Sequence, residues 1–150
     1  MGKKQRYIKV LETAKSVVKD YSMGDIGKMA ILSAILKSEF SEWIFCGFYR
    51  VVKEKMLEIG PYQGNILACG HITFGQGICG EAASKNKTII VDDVSSFPRY
   101  ISCDDQTVSE IVVPVFKNGV LTAVLDIDGD RVGQFDIIDQ EALEELVKLI

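Results

Sequence analysis

Ser109-Glu-Ile-Val-Val-Pro-Val-Phe-Lys117-Asn118-Gly119-Val120-Leu-Thr-Ala-Val-Leu-Asp-Ile-Asp128 decides the fold. Two β-rich runs, 108–116 and 120–128, flank Asn118-Gly119, residue types that tolerate the left-handed backbone of a hairpin turn. Read as a three-residue loop, Lys117–Gly119 sets Phe116 opposite Val120. Glu110 then opposes Asp126, and Asp128 lies diagonal to it. Residues two apart share a face, so Glu110, Asp126 and Asp128 crowd one side. Ile111, Val113, Val115, Leu121, Ala123, Leu125 and Ile127 make the other side an apolar one. A two-residue loop would shift the register by one and drive Glu110 into the apolar set, at high cost. Pro114 marks a position where a bulge can enter. Opposed like charges weaken a sheet, which leaves two readings: a solvated acidic face, or the floor of a pocket. In a pocket, mutual repulsion holds one carboxyl protonated near neutral pH, able to protonate a poor leaving oxygen.

Outward from this ribbon, Ile8, Leu11, Ala14 and Val18 recur at helical spacing and predict a helix over 3–19. A second helix is expected over 24–37 with Ile26, Ala30, Ser33 and Ile35/Leu36 turned inward. Strands over 43–52 and 55–62 join at Lys53-Glu54, with Pro61 and Gly64 ending that unit. Residues 63–76 read as a long loop, 77–85 as a short helix, 88–91 as a strand and 92–107 as irregular chain. Asp136 and Asp139 open a last helix whose Leu143, Leu146/Val147 and Ile150 line one face. Helices at both ends with strands between predict an α+β domain with a central, mainly antiparallel sheet. A chain of 150 residues fits one domain over 1–150.

A net charge of −4, with no basic cluster longer than Lys3-Lys4, argues against a nucleic-acid surface. The longest apolar run, Met29 to Leu36, is interrupted by Ser33 and too short to span a bilayer. No unbroken apolar segment follows the basic start, so no signal peptide is expected, and Arg6 removes a myristoylation pattern. The expected location is the cytoplasm, where thiols stay reduced unless they turn over.

That bears on the four cysteines. Cys46, inside Trp43-Ile-Phe-Cys-Gly-Phe-Tyr49, has the setting of a buried hydrophobe. Cys69, Cys79 and Cys103 sit among Gly, Asp and Pro in loop-like stretches and are expected to be accessible. Acids with accessible thiols point to thiol-based reduction of an oxidised group. Local chemistry alone does not choose the nucleophile. Asp104 and Asp105 should raise the pKa of Cys103, partly offset by Arg99, while Cys79 near a helix start should have its own lowered. Gly75-Gln-Gly-Ile-Cys-Gly80 satisfies G-x-G-x-x-G, but Ile72-Thr73-Phe74 is too short to be the parallel strand a dinucleotide site needs. Cys69, Cys79, Cys103 and His71 lack the paired spacing of structural zinc, so no metal is expected.

The ordered set Gly47-Phe-Tyr49, Gly60-Pro-Tyr-Gln-Gly64, Ala68-Cys69, Phe74-Gly-Gln-Gly-Ile-Cys79-Gly80, Phe97-Pro98, Cys103-Asp104, Ser109-Glu-Ile-Val-Val-Pro114, Leu125-Asp-Ile-Asp128 and Phe135-Asp136 resembles the free methionine-(R)-sulfoxide reductases, stand-alone enzymes with a GAF-type fold. The resemblance implies a GAF-like domain with N- and C-terminal helices packed on one face of the sheet. It implies Cys103 as nucleophile, Cys69 as main resolving thiol and Cys79 as auxiliary thiol. Glu110, Asp126 and Asp128 fall on the family's substrate carboxylates, and Tyr49 on the pocket around the methyl end. The implied substrate is free methionine-(R)-sulfoxide, the implied external reductant thioredoxin and the implied assembly a homodimer, with no bound cofactor. In the implied cycle, Cys103 becomes a sulfenic acid and Cys69 closes a disulfide. The chain departs from the family at Phe45, where Trp is common, at Arg99-Tyr100, where Gly-His is common, and at His71, where Arg is frequent. The alternative is a non-catalytic GAF-type module sensing a small ligand or redox state. Against it stands the last predicted helix, which is not extended toward an output domain.

Overall fold

Two helices come first in the computed structural model, which describes residues 1–20 and 22–150: α1 (Lys3–Asp20) and α2 (Asp25–Glu39). Then follow β1 (Phe45–Lys53), β2 (Met56–Gly64), the short β3 (His71–Thr73), α3 (Gly77–Lys85) and the short β4 (Ile89–Val91). A 3₁₀ turn at Val94–Ser96 interrupts the loop before β5 (Ser109–Lys117) and β6 (Val120–Gly129). The chain closes with α4 (Ile137–Leu146) and a further 3₁₀ turn, Val147–Leu149. The six strands form one sheet in the order β3-β2-β1-β6-β5-β4, and every neighbouring pair is antiparallel. Among the described residues no helix is long and apolar enough to cross a membrane.

The fold is α+β, and it has two cores. On one face of the sheet, Tyr7, Val10 and Ala14 of α1, Met29, Leu32 and Leu36 of α2, and Leu143 and Leu146 of α4 pack on Cys46, Phe48, Ile111, Val113, Leu125 and Ile127. The first and last helices thus share a face, as expected. Their phases differ from the periodicity reading: Ile8 and Ile26 are exposed, while Tyr7 and Met29 take the inward places. An aromatic and a thioether, whose polar or flexible ends are easily placed, replace the expected Ile. Asp139 is buried here with its needs met. It accepts from the Tyr7 hydroxyl at 2.6 Å and from the Asp136 N–H at 2.8 Å, and pairs with Lys3 at 2.5 Å. With Asp136 it closes a capping box over the start of α4. On the other face, α3 and the two long loops cover Phe45, Tyr49, Val112 and Val124.

The β5–β6 register corrects the hairpin reading. Asn118 and Gly119 both have positive φ, 53° and 78°, so the tip is a two-residue I′-type turn with Lys117 opposite Val120 and Phe116 opposite Leu121. Val115, however, faces Ala123, which leaves Thr122 as an extra residue. This bulge restores parity before the buried stretch begins, so Glu110 opposes Asp128 and Val112 opposes Asp126. The three carboxylates still share one face. Leu121, on the tip side of the bulge, packs on the pocket side rather than with the helices. The β1–β2 turn likewise falls one residue later than expected, with Lys55 left-handed at φ 54° and Lys53 opposite Met56.

Candidate active site

A cavity of about 40 Å³ opens on the face that α3 covers. Strand alternation supplies its floor: Phe45 and Tyr49 come from β1, Glu110 from β5, and Asp126 and Asp128 from β6. Cys79 in the first turn of α3 forms one wall, and Cys103 with Asp104 forms the rim. Cys69 does not line the cavity itself. It is joined to Cys103 by a disulfide with Cα atoms 5.4 Å apart, and its neighbour Ala68 reaches the lining. The structure therefore brings every sequence-expected site residue to one place.

Two expectations about Cys79 are overturned. It is buried, not accessible, because the flanking glycines let α3 dock closely instead of forming an open loop. A Cβ on Gly80 would stand only 2.4 Å from the Thr73 carbonyl oxygen. Gly77, at φ 62°, turns the chain into the helix against Ile101. The Cys79 thiol is also pushed well above its ordinary range, by burial first and then by Asp126, Glu110 and Asp128. That outweighs the helix N-terminus. Its Sγ lies 3.9 Å from Glu110 Oε1. The Gly75–Gly80 pattern is thus a close-packed turn following a three-residue antiparallel edge strand, not a dinucleotide loop.

The acids are buried without the partners that satisfy Asp139. Asp126 Oδ1 and Asp128 Oδ1 have no hydrogen-bond donor among the described residues. Burial is the main reason all three titrate high. Asp126 is pushed up to about 6. Glu110 and Asp128 are held well above the usual carboxylate range, by desolvation and then by the Asp126 charge beside them. The floor thus combines one acid that ionises near pH 6 with two that hold their protons to higher pH than an ordinary carboxyl. Tyr49 and Tyr100, buried beside these groups, are raised as well, so both phenols keep their protons.

Asp104 spends its carboxylate on the rim. Oδ1 accepts from the Gln106 and Thr107 N–H groups at 2.7 and 2.8 Å, and Oδ2 from the Thr107 hydroxyl at 2.9 Å. Arg99 does not offset the acids near Cys103; it turns away to pair with Glu81 at 3.5 Å. His71 lies outside the cavity and pairs with Glu58 at 2.9 Å. Tyr100, Asp104 and the apolar wall of Ile66, Leu67 and Ile101 were not expected from the sequence. They sit in irregular chain, where no periodicity says which side chains turn inward.

The family model described as "GAF domain" matches residues 30–150. The free methionine-R-sulfoxide reductase of Escherichia coli is 36% identical over 122 residues, covering 81% of this chain and 73% of that protein. The X-ray structure of the free methionine-R-sulfoxide reductase of Neisseria meningitidis in complex with its substrate superposes with a TM-score of 0.93. It is 40% identical and covers 99% of this chain and 88% of that one. The chain belongs to the free methionine-R-sulfoxide reductase family. A structure described as a putative GAF sensor protein, from Burkholderia vietnamiensis, is also similar, at 35% identity and TM-score 0.92 over 99% of this chain and 93% of that one.

Two of the positions at which the chain departs from the pattern expected of the family lie at or beside the cavity. Phe45 lines the cavity and stacks on Tyr62 with ring centroids 5.2 Å apart, so an apolar aromatic wall is retained without an indole N–H. Trp43 cannot substitute for it, because Trp43 points to the helix side and stacks on Phe40 at 4.2 Å. Arg99 adopts a left-handed backbone at φ 58°, a conformation that glycine takes more readily.

Proposed function

We propose that the protein reduces free methionine-(R)-sulfoxide to methionine through a cysteine sulfenic acid and an intramolecular disulfide. The Cys103 thiolate attacks the sulfoxide sulfur while a protonated acid, Glu110 or Asp128, donates to the oxygen. Methionine departs and Cys103 is left as sulfenic acid, two electrons oxidised. The Cys69 thiol displaces hydroxide from that sulfur, forming the disulfide and releasing water. An external dithiol of the thioredoxin class then takes the oxidising equivalents by exchange. In this reading Asp126, the acid most readily ionised at neutral pH, holds the substrate ammonium, which favours the free amino acid over a peptide-linked one. Phe45 and Tyr49 enclose the methyl end. Cys79 is a relay at most: a thiol held protonated by burial is a poor nucleophile.

The observation that carries the reading is the Cys69–Cys103 bridge at the mouth of a cavity floored by three carboxylates. The cycle calls for no bound cofactor and suits a reducing compartment such as the cytoplasm. A homodimer is proposed from the family alone. The deciding assay is turnover of free methionine sulfoxide with dithiothreitol, followed by mass spectrometry of the protein. Methionine should form together with a Cys69–Cys103 link, and Cys103→Ser should abolish single-turnover product. Product formation by Cys103→Ser would move the attacking role to another thiol. Tight binding of the sulfoxide without turnover would instead make this a sensor, the reading that likeness to the putative GAF sensor structure favours.

A further inference from the structure

Beneath the disulfide the acids of the proposed cycle stand beside a thiol, Cys79, for which that cycle has little use. One ligand atom each from Cys79, Glu110 and Asp126 lie within 4.8 Å of one another, and all three residues are buried. Asp128 lines the same cavity. Both Asp126 and Asp128 present a buried Oδ1 with no donor among the described residues. Buried polar atoms are nearly always paired, so two orphaned oxygens in one cavity call for a ligand. Asp139, a carboxylate buried on the other face, is fully supplied with donors and calls for none.

We propose that Cys79, Glu110 and Asp126 form a binding site for a divalent cation of the zinc class, with Asp128 as a fourth donor. Binding displaces the Cys79 proton, and the resulting thiolate among carboxylates selects against magnesium and calcium, which take oxygen donors alone. Tetrahedral zinc sets sulfur at about 2.3 Å and carboxylate oxygen at about 2.0–2.2 Å. Those bond lengths put tetrahedral ligand atoms about 3.4–3.6 Å apart, so donors within 4.8 Å of one another must close by up to about 1 Å or a little more around the ion. The cavity of about 40 Å³ is ample for an ion. Such an ion would occupy the place of the substrate ammonium and engage the acid that protonates the leaving oxygen, so it would inhibit. That consequence rests on the reductase reading; the binding does not.

The oxidised protein gives a clean test, because the bridge removes Cys69 and Cys103 and leaves Cys46 and Cys79 as the free thiols. Cobalt(II) titrated into oxidised protein should bind one ion per chain with a sulfur-to-cobalt charge-transfer band, displaced by stoichiometric zinc. Cys79→Ser should abolish the band and weaken cobalt binding by about tenfold or more. Glu110→Gln should weaken binding and keep the band. Cys46→Ala, altering a thiol on the opposite face of the sheet, should change neither. Absence of the band in the wild-type oxidised protein would overturn the proposal. So would a band surviving Cys79→Ser, or one seen only after the bridge is reduced, which would place the metal on Cys69 and Cys103. Metal-free protein that fails to turn over sulfoxide would refute the reductase reading and leave this site standing.

Discussion

Asp126 serves function at the expense of stability. Its pKa rises from the ordinary 3.8 to about 6 because the loss of water on burial outweighs the hydrogen bonds it gains from Glu110 and Cys79. Such a group binds protons more readily folded than unfolded, so between about pH 4 and pH 6 stability falls as pH rises. The penalty is then complete at pH 7. Asp126→Asn removes it, and the variant should be more stable at pH 7 by at most about 3 kcal/mol. The gain should vanish near pH 4, as read from urea midpoints at both pH values. The same change should raise KM for the sulfoxide, since the ammonium loses its counter-charge. Wild-type binding should weaken in parallel as pH drops through about 6. A variant less stable than wild type at pH 7 would contradict this account. The grouping of the acids was legible in the sequence because strand alternation puts all three on one face, although alternation alone left a solvated face and a pocket floor both open. The burial of Cys79 was not legible. Glycines beside a cysteine look like open loop, and only the 2.4 Å approach of a Gly80 Cβ to Thr73 shows that they serve close packing.

The hairpin teaches a lesson about parity. The pattern fits a three-residue loop over Lys117–Gly119, whereas a two-residue turn and one bulged residue at Thr122 together preserve the same alternation. Hydrophobic patterning constrained which face each side chain takes, but not how the turn reached it. Both solutions bury the same residues beyond Ala123, so the pattern could not separate them. Deleting Thr122 should therefore be tolerated, within about 1 kcal/mol, because every deeper pair stays in place. Deleting Val124 from that shortened ribbon leaves no bulge to absorb the loss. Asp126 and Asp128 would then turn into the helix-side core, at a cost beyond about 4 kcal/mol. Urea unfolding of the single and double deletions would measure both. A double deletion as stable as the single one would show that the strand finds another register.

For the whole molecule, the order of the longer elements was readable from apolar periodicity, whereas the shared face of the first and last helices followed only from the family resemblance. β3, three residues long, is too short to show alternation, while the equally short β4 is readable from the run Thr88–Val91; the loops beside them, 63–76 and 92–107, carry no periodicity. The Cys69–Cys103 bridge ties those two loops across 34 residues of sequence. Loop-closure entropy for that span is at most about 4 kcal/mol in favour of the oxidised form. Denaturation midpoints should therefore fall on reduction, and Cys103→Ser should match the reduced protein with or without dithiothreitol. Equal midpoints for the two redox states would mean the loops are held as well without the bridge. The chain's single tryptophan, Trp43, stacks on Phe40 in the layer beneath the sheet, while the cavity opens above it. Its emission is thus a reporter of melting among the helices and deaf to events on the far side. A substrate titration followed by intrinsic fluorescence should read flat even at full occupancy.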